Sequence, residues 1–251
     1  MATARGATGP GRRARPRAPS SLEVQREQHL SRFERSVEAV QSGVRRVTGR
    51  EEPIGLRAAQ TRERVLTAAD ALFAEKGYSP VSVGEIANTA GVRMPTLYQY
   101  FSGKSGIIAA LVGQRAIEMM AQGVDDWVPE SGAAGLRRLI HDFVATYERN
   151  RAFFRAWEDA TQAEPAIASL RREWNAVYRL RVAESIRAGQ EHGSVANHDD
   201  AHELARWLTR GLEAYCFDVL VFDPPPDPAT VDQITEVITD AWSRTLGVAR
   251  D

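Results

Sequence analysis

From residue 103 onward the apolar residues recur at steps of three and four, and nowhere do apolar and polar residues alternate as a half-buried strand requires. That periodicity commits the chain to an all-α fold. It predicts helices over 103–123, 132–149, 151–162, 165–191, 199–221 and 228–247, with Pro129, Pro165 and the PPPDP run at 224–228 at the boundaries. Asp227 and Pro228 read as an N-cap and first-turn pair opening the last of these helices. No segment repeats, and no apolar run approaches the roughly 18 residues of a membrane span. The single cysteine, Cys216, cannot close an intrachain disulfide, which suits a reducing compartment and predicts a cytoplasmic protein.

The N-terminal part is organised differently. Residues 1–20 carry Arg5, Arg12, Arg13, Arg15 and Arg17 with three prolines and no acid, the composition of a disordered basic arm. Residues 21–56 form an extension whose apolar seam, Leu30, Phe33, Val37, Val40, Val44 and Val47, marks an amphipathic helix ended by Gly49 and Pro53. A second helix carries Val65, Leu66, Ala69, Leu72 and Phe73 on one face and stops at Gly77, where glycine can take a left-handed cap. Ser82, with Glu85 three residues on, is a capping box that opens a short helix running to Ala90. Gly91 then permits a sharp turn into GVRMPTLYQYF, a helix of one to two turns whose first turn tolerates Pro95.

Charge separates the two halves. Up to Lys104 there are 17 Lys and Arg against 10 Asp and Glu, while the remainder is acidic, so the first half is the one suited to a polyanion. On the short helix Leu97 points one way, with Val92 and Phe101 flanking it, and Pro95 and Gln99 point the other. Thr96 and Tyr98 sit on the shoulders. The arrangement suits a helix lying in a DNA major groove: hydroxyls reach phosphates, Gln99 and Arg93 offer polar contacts to base edges, and Met94 and Pro95 offer apolar ones. The same residues also fit a turn between core helices with solvated tyrosines.

The run TRERVLTAADALFAEKGYSPVSVGEIANTAGVRMPTLYQYFSGKSGIIAALV, with its LFAEKGY, IANTAGV and TLYQYF motifs, resembles the DNA-binding domain of the TetR (tetracycline repressor) family of bacterial regulators. The resemblance implies a three-helix DNA-binding domain over 57–104 and a C-terminal helical domain over 105–251 that dimerises and holds a small apolar effector. The expected partners are therefore double-stranded operator DNA, the effector and a second copy of the chain. Carried onto this sequence, phosphate contacts fall on Ser82, Thr96, Tyr98, Tyr100 and Lys104, and base-edge contacts on Arg93, Met94, Pro95 and Gln99. Gly84 departs from the family pattern, which often places a long polar side chain there.

In the C-terminal half AIASLRREW, AHELA and ITDAW resemble the branch typified by the ethionamide-resistance repressor, whose members carry a long aromatic-lined pocket. That likeness selects Phe143, Tyr147, Trp174, Tyr178, Thr209 and Trp242 as lining residues. Ordinary core packing is the alternative for the same rings. Trp207, Leu212, Cys216 and Val219, with Ile234, Val237 and Ile238, are expected to build a four-helix dimer interface. His198 and His202 have metal-ligand spacing, but no second cluster completes a site and helix-end chemistry accounts for the acids between them. No cofactor or catalytic site is expected. A helical-bundle enzyme with an appended DNA-binding domain, and a DNA-binding protein without an effector, are the competing readings.

Overall fold

The computed structural model describes residues 21–49, 55–121, 127–128, 131–222 and 230–248, and every regular element among them is helical. The helices are α1 (Ser21–Thr48), α2 (Leu56–Lys76), α3 (Val83–Thr89), α4 (Met94–Tyr100), α5 (Lys104–Ala121), α6 (Gly132–Arg149), α7 (Arg151–Ala163), α8 (Pro165–His192), α9 (Ala201–Cys216) and α10 (Val231–Leu246). Two compact units divide the chain, Met1–Arg35 and Ser36–Asp251. The described part of the first is the N-terminal half of α1, and all packing below lies within the second. The expected basic arm at 1–20 falls outside the described residues, as do the side chains of Leu30 and Phe33.

Local chemistry accounts for most helix ends. α2 buries Val65, Leu66, Ala69, Leu72 and Phe73 as its periodicity requires, together with Ala68. Its cap, Gly77, has φ 79° and ψ 175°, so the positive φ demands glycine but the extended ψ differs from the expected left-handed cap. The turn into α4 runs through Gly91 at φ 63°. Ser82 caps α3 by accepting a hydrogen bond from the Glu85 amide at 3.1 Å. Glu85 answers mainly elsewhere: Lys76 Nζ donates to its carboxylate at 2.6 Å. That bond leads the interactions that hold the Glu85 carboxyl below its ordinary value, and the Ser82 amide adds to it. α10 starts three residues later than expected because Thr230 and Gln233 form a complete capping box, at 3.2 and 2.9 Å. Asp227 and Pro228 lie outside the described residues.

One continuous apolar core runs through the unit, with the Ile107–Val112 stretch of α5 buried at its centre. α6 packs on α10, α8 on α9, and α7 on both α2 and α8. The C-terminal half of α1 is tied at two places. Ser102 donates from its amide to Thr48 O and from its hydroxyl to Val47 O, at 3.3 and 3.2 Å. Arg46 forms a two-pronged pair with Glu173 of α8 at 2.8 and 2.7 Å. After Cys216 the α9 backbone loosens into a π turn over Phe217–Val221.

The expected interface residues divide. Leu212, Cys216, Val219, Ile234 and Ile238 are buried within the chain itself, so they are core. Trp207 and Val237 are 67% and 57% exposed.

Candidate nucleic-acid interface and C-terminal cavity

A seven-residue helix is too short to persist alone. α4 is held because Leu97 and the following Phe101 are fully buried and Val92 packs against the same core. The rest of the helix is turned outward. Arg93, Met94, Pro95, Tyr98 and Gln99 are exposed and Thr96 is half-buried, so these side chains form one polar and apolar surface beside the α3–α4 turn. Ser82 is exposed as well, and its cap bond uses the hydroxyl oxygen as acceptor.

Two expected phosphate contacts are placed differently. Tyr100 is half-buried and lines a groove with Val44 and Thr48 of α1, Arg62 of α2 and Ala110 of α5. Lys104 lies over the Tyr78 ring at 4.2 Å and donates to the carbonyls of Tyr78 and Ser79 at 3.0 and 3.1 Å. Burial lowers its ammonium pKa, against the pull of Glu164. These contacts use two of the three ammonium donors inside the protein.

In the C-terminal half, Phe143, Tyr147, Trp174, Tyr178 and Thr209 meet around one cavity, joined by Met119, Phe154, Trp157 and Asn175. Trp242 does not line it: it is buried on α10, which packs chiefly against α6, and Phe143 and Tyr147 of α6 supply the lining there instead. The rings are in mutual contact. Phe143 stacks on Tyr147 at 4.9 Å and on Tyr178 at 5.5 Å, Tyr147 on Phe154 at 3.9 Å, and Trp174 meets Trp157 edge-on at 5.5 Å. The free space left between them is about 30 Å³, room for a water or two. A second space of about 210 Å³ lies across Met119 and Phe154, bordered by Arg115, Thr146, Arg149, Asn150 and Phe153. Those two side chains divide the spaces.

A charged wall borders the aromatic cavity. Arg171 pairs with Glu158 of α7 and, at 2.7 Å, with Glu213 of α9, and its guanidinium sits over Trp157 and over Phe217 of the π turn. Asn175 and Arg210 also donate to Glu213, at 3.3 and 3.1 Å. Burial by itself would raise Glu158, and the hydrogen bonds from Arg171 and Gln162 outweigh it and lower its pKa. The sequence offered one signal for this wall, the FFRAW spacing that puts Phe154 and Trp157 on α7. Nothing local links Arg171 to a carboxylate 42 residues away.

The cavity is mechanically joined to the first helices. α7, which supplies Phe154 and Trp157, packs on α2. Arg115 of α5 pairs with Asp70 of α2 at 2.8 Å and lies over Phe153 of α7 at 5.7 Å. Tyr78, fully buried after α2, donates its hydroxyl to Glu164 between α7 and α8 at 3.3 Å.

Among the described residues no cluster of three metal-ligating side chains gathers at His198 and His202; Asp200 caps α9 through the amides of His202 and Glu203, and His202 Nε2 meets Arg187 at 2.8 Å. Among the described residues no helix is long and apolar enough to cross a membrane.

Comparison with known proteins agrees with this geometry. The family of bacterial regulatory proteins named for tetR matches residues 65–111, the stretch from within α2 into α5. The transcriptional regulator EthR of Mycolicibacterium smegmatis is 25% identical over 188 residues, covering 72% of this chain and 84% of its own. The transcriptional activator FasR of the same species is 28% identical over 167 residues, 63% of this chain and 70% of its own. Among solved structures, SmeT, the repressor of a Stenotrophomonas maltophilia multidrug efflux pump, shares the fold with a TM-score of 0.59 at 18% identity, over 74% of this chain and 91% of its own. A tetR-family protein from Rhodococcus RHA1 gives 0.57 at 21% identity, over 76% and 98%. The outward α4 of the helix-turn-helix, the tetR-family match over residues 65–111 and relatives that span both halves of the chain together support a TetR-family transcriptional regulator.

Proposed function

We propose that the chain is a one-component repressor that binds a palindromic operator as a homodimer and lets go when an apolar small molecule enters the C-terminal cavity. The observation that carries this reading is the outward face of α4. Its Arg93, Met94, Pro95 and Gln99 are turned outward, while Leu97 and Phe101 pin the same helix to the core. Residues 57–104 act as the DNA-binding domain and 105–251 as the ligand-binding and dimerisation domain, with 21–56 as an extension and 1–20 as a basic arm. Thr96, Tyr98 and Ser82 position the helix on phosphates, and Gln99 and Arg93 read base edges. The likeness to EthR across both halves supports the two-part organisation.

Release requires two states that the ligand distinguishes, since equal affinity for both shifts nothing. A ligand larger than the roughly 30 Å³ of free space must displace Phe154, Met119 or their neighbours. Displacement on α7 passes to α2, on which it packs, and so to the spacing of two α4 helices that must sit roughly 34 Å apart in successive grooves.

Gln99→Ala should relax the base preference at one position in each half-site, by about 1–3 kcal/mol of discrimination. Selection from a randomised operator pool measures this, and an unchanged preference at every position would refute the base-reading role. The dimer is testable separately. Trp207 and Val237 are the large exposed apolar side chains on α9 and α10, and Gly211, one turn beyond Trp207, faces open space. Trp207→Glu should weaken association by about 2 kcal/mol or more. Sedimentation should then show monomer at concentrations where the parent is a dimer, and a variant with the parent's mass distribution would place the interface elsewhere.

A further inference from the structure

The charge balance around the cavity selects among apolar ligands. Three guanidinium groups, Arg171, Arg179 and Arg210, border it or its wall, against the two carboxylates of Glu158 and Glu213. Both carboxylates are already engaged: Glu213 accepts from Arg171, Arg210 and Asn175, and Glu158 from Arg171 and Gln162. An organic cation entering here would have to displace an arginine to find an anion. Arg179 stands in the opposite position. It is half-buried on α8, one turn beyond Asn175, lines the cavity, and has no carboxylate partner among the described residues. The Trp157 indole N–H, also in the lining and buried, has no acceptor among them either. Both unmatched groups are donors, and a half-buried guanidinium without a counter-ion gains most from an anionic one.

We infer that the natural ligand of this cavity is an amphipathic organic acid, an aryl or acyl chain seated among Phe143, Tyr147, Phe154 and Trp174 with its carboxylate on Arg179. The inference rests on reading the cavity as the ligand site, and it adds the headgroup. Its geometry is directional. The aromatic rings supply the apolar end and exclude water, while Arg179 and Asn175 stand one turn apart on α8. A neutral chain would gain the first contribution and leave the guanidinium unmatched. A protonated amine would meet it as a like charge.

The test uses the full chain and a series of ω-phenylalkanoates of increasing length with their matched alcohols and amines, titrated calorimetrically. The carboxylates should bind about tenfold tighter than the alcohols of equal length, and the amines weakest. Arg179→Gln should abolish the carboxylate advantage while leaving alcohol binding within about twofold, and Arg179→Lys should restore part of it. Trp174→Ala should weaken all three classes together. Alcohols or amines binding as tightly as the acids, with Trp174→Ala still weakening them, would leave the cavity as the ligand site and overturn the acid assignment. No binding by any member would overturn the ligand-site reading and this inference with it.

Discussion

Leu97→Ala should abolish operator binding and destabilise the protein by about 3 kcal/mol, the middle of the range for a leucine truncated in a packed core. For a chain of this length that lowers the thermal midpoint by roughly 6–12 °C. The effect is large because α4 has one buried side chain of its own, Leu97, at 0% exposure. Seven residues cannot sustain a helix by backbone bonds against the entropy of ordering them, so tertiary contact supplies its stability. With Leu97 cut back, Phe101 alone holds the C-terminal end and the exposed face loses its fixed aim. Hydrogen exchange should show protection lost over α3 and α4 while α8 and α9 stay protected, because those helices pack in the distant part of the core. Operator affinity within threefold of the parent would mean that α4 does not carry recognition.

Arg171→Met should cost about 3 kcal/mol at neutral pH, and the deficit should shrink on acidification. The guanidinium holds Glu158 and Glu213 together between Trp157 and Phe217, and it is itself largely buried. Removing it leaves two carboxylates facing one another with Arg210, Asn175 and Gln162 as residual donors. In the parent, Glu158 is depressed, so its contribution to stability is present above the ordinary carboxylate value and is lost as pH falls through the lower folded one. In the variant the sign reverses. Burial without the cation raises the carboxyl pKa, and the penalty, full at neutral pH, is relieved as protonation sets in below about pH 5. Chemical denaturation at pH 7 and pH 4.5 measures both. Adding Glu213→Gln to Arg171→Met should recover about half of the loss at pH 7, a non-additive result expected of groups in one network. A deficit that stays constant with pH would show that Arg171 matters for packing alone.

Local sequence chemistry determined the helical architecture and much of its punctuation. Ser82 caps α3, Gly91 turns the chain, and Pro95 sits in the first turn of α4, each because backbone conformation and end-group bonding are settled within a few residues. The faces of α2 and α4 were legible for the same reason, since a period of 3.6 decides which side chains share a side. Periodicity does not say what covers a face. Leu212, Cys216, Val219, Ile234 and Ile238 form apolar stripes that read equally as core or as interface, and only the packing of α8 on α9 and of α6 on α10 buries them within one chain. Four aromatic residues and Thr209 were legible as lining residues, whereas Trp242 was not separable from them until α10 was placed against α6. Lys104 carries a group suited to phosphate, yet the carbonyls of Tyr78 and Ser79 take two of its donors inside the protein, and Tyr100 is half-buried in the groove beside α1. The Arg171 wall belongs wholly to tertiary structure. Its partners stand 13 residues before it and 42 after it, and a charge shows its pairing only when folding brings the opposite charge within reach and takes both away from water.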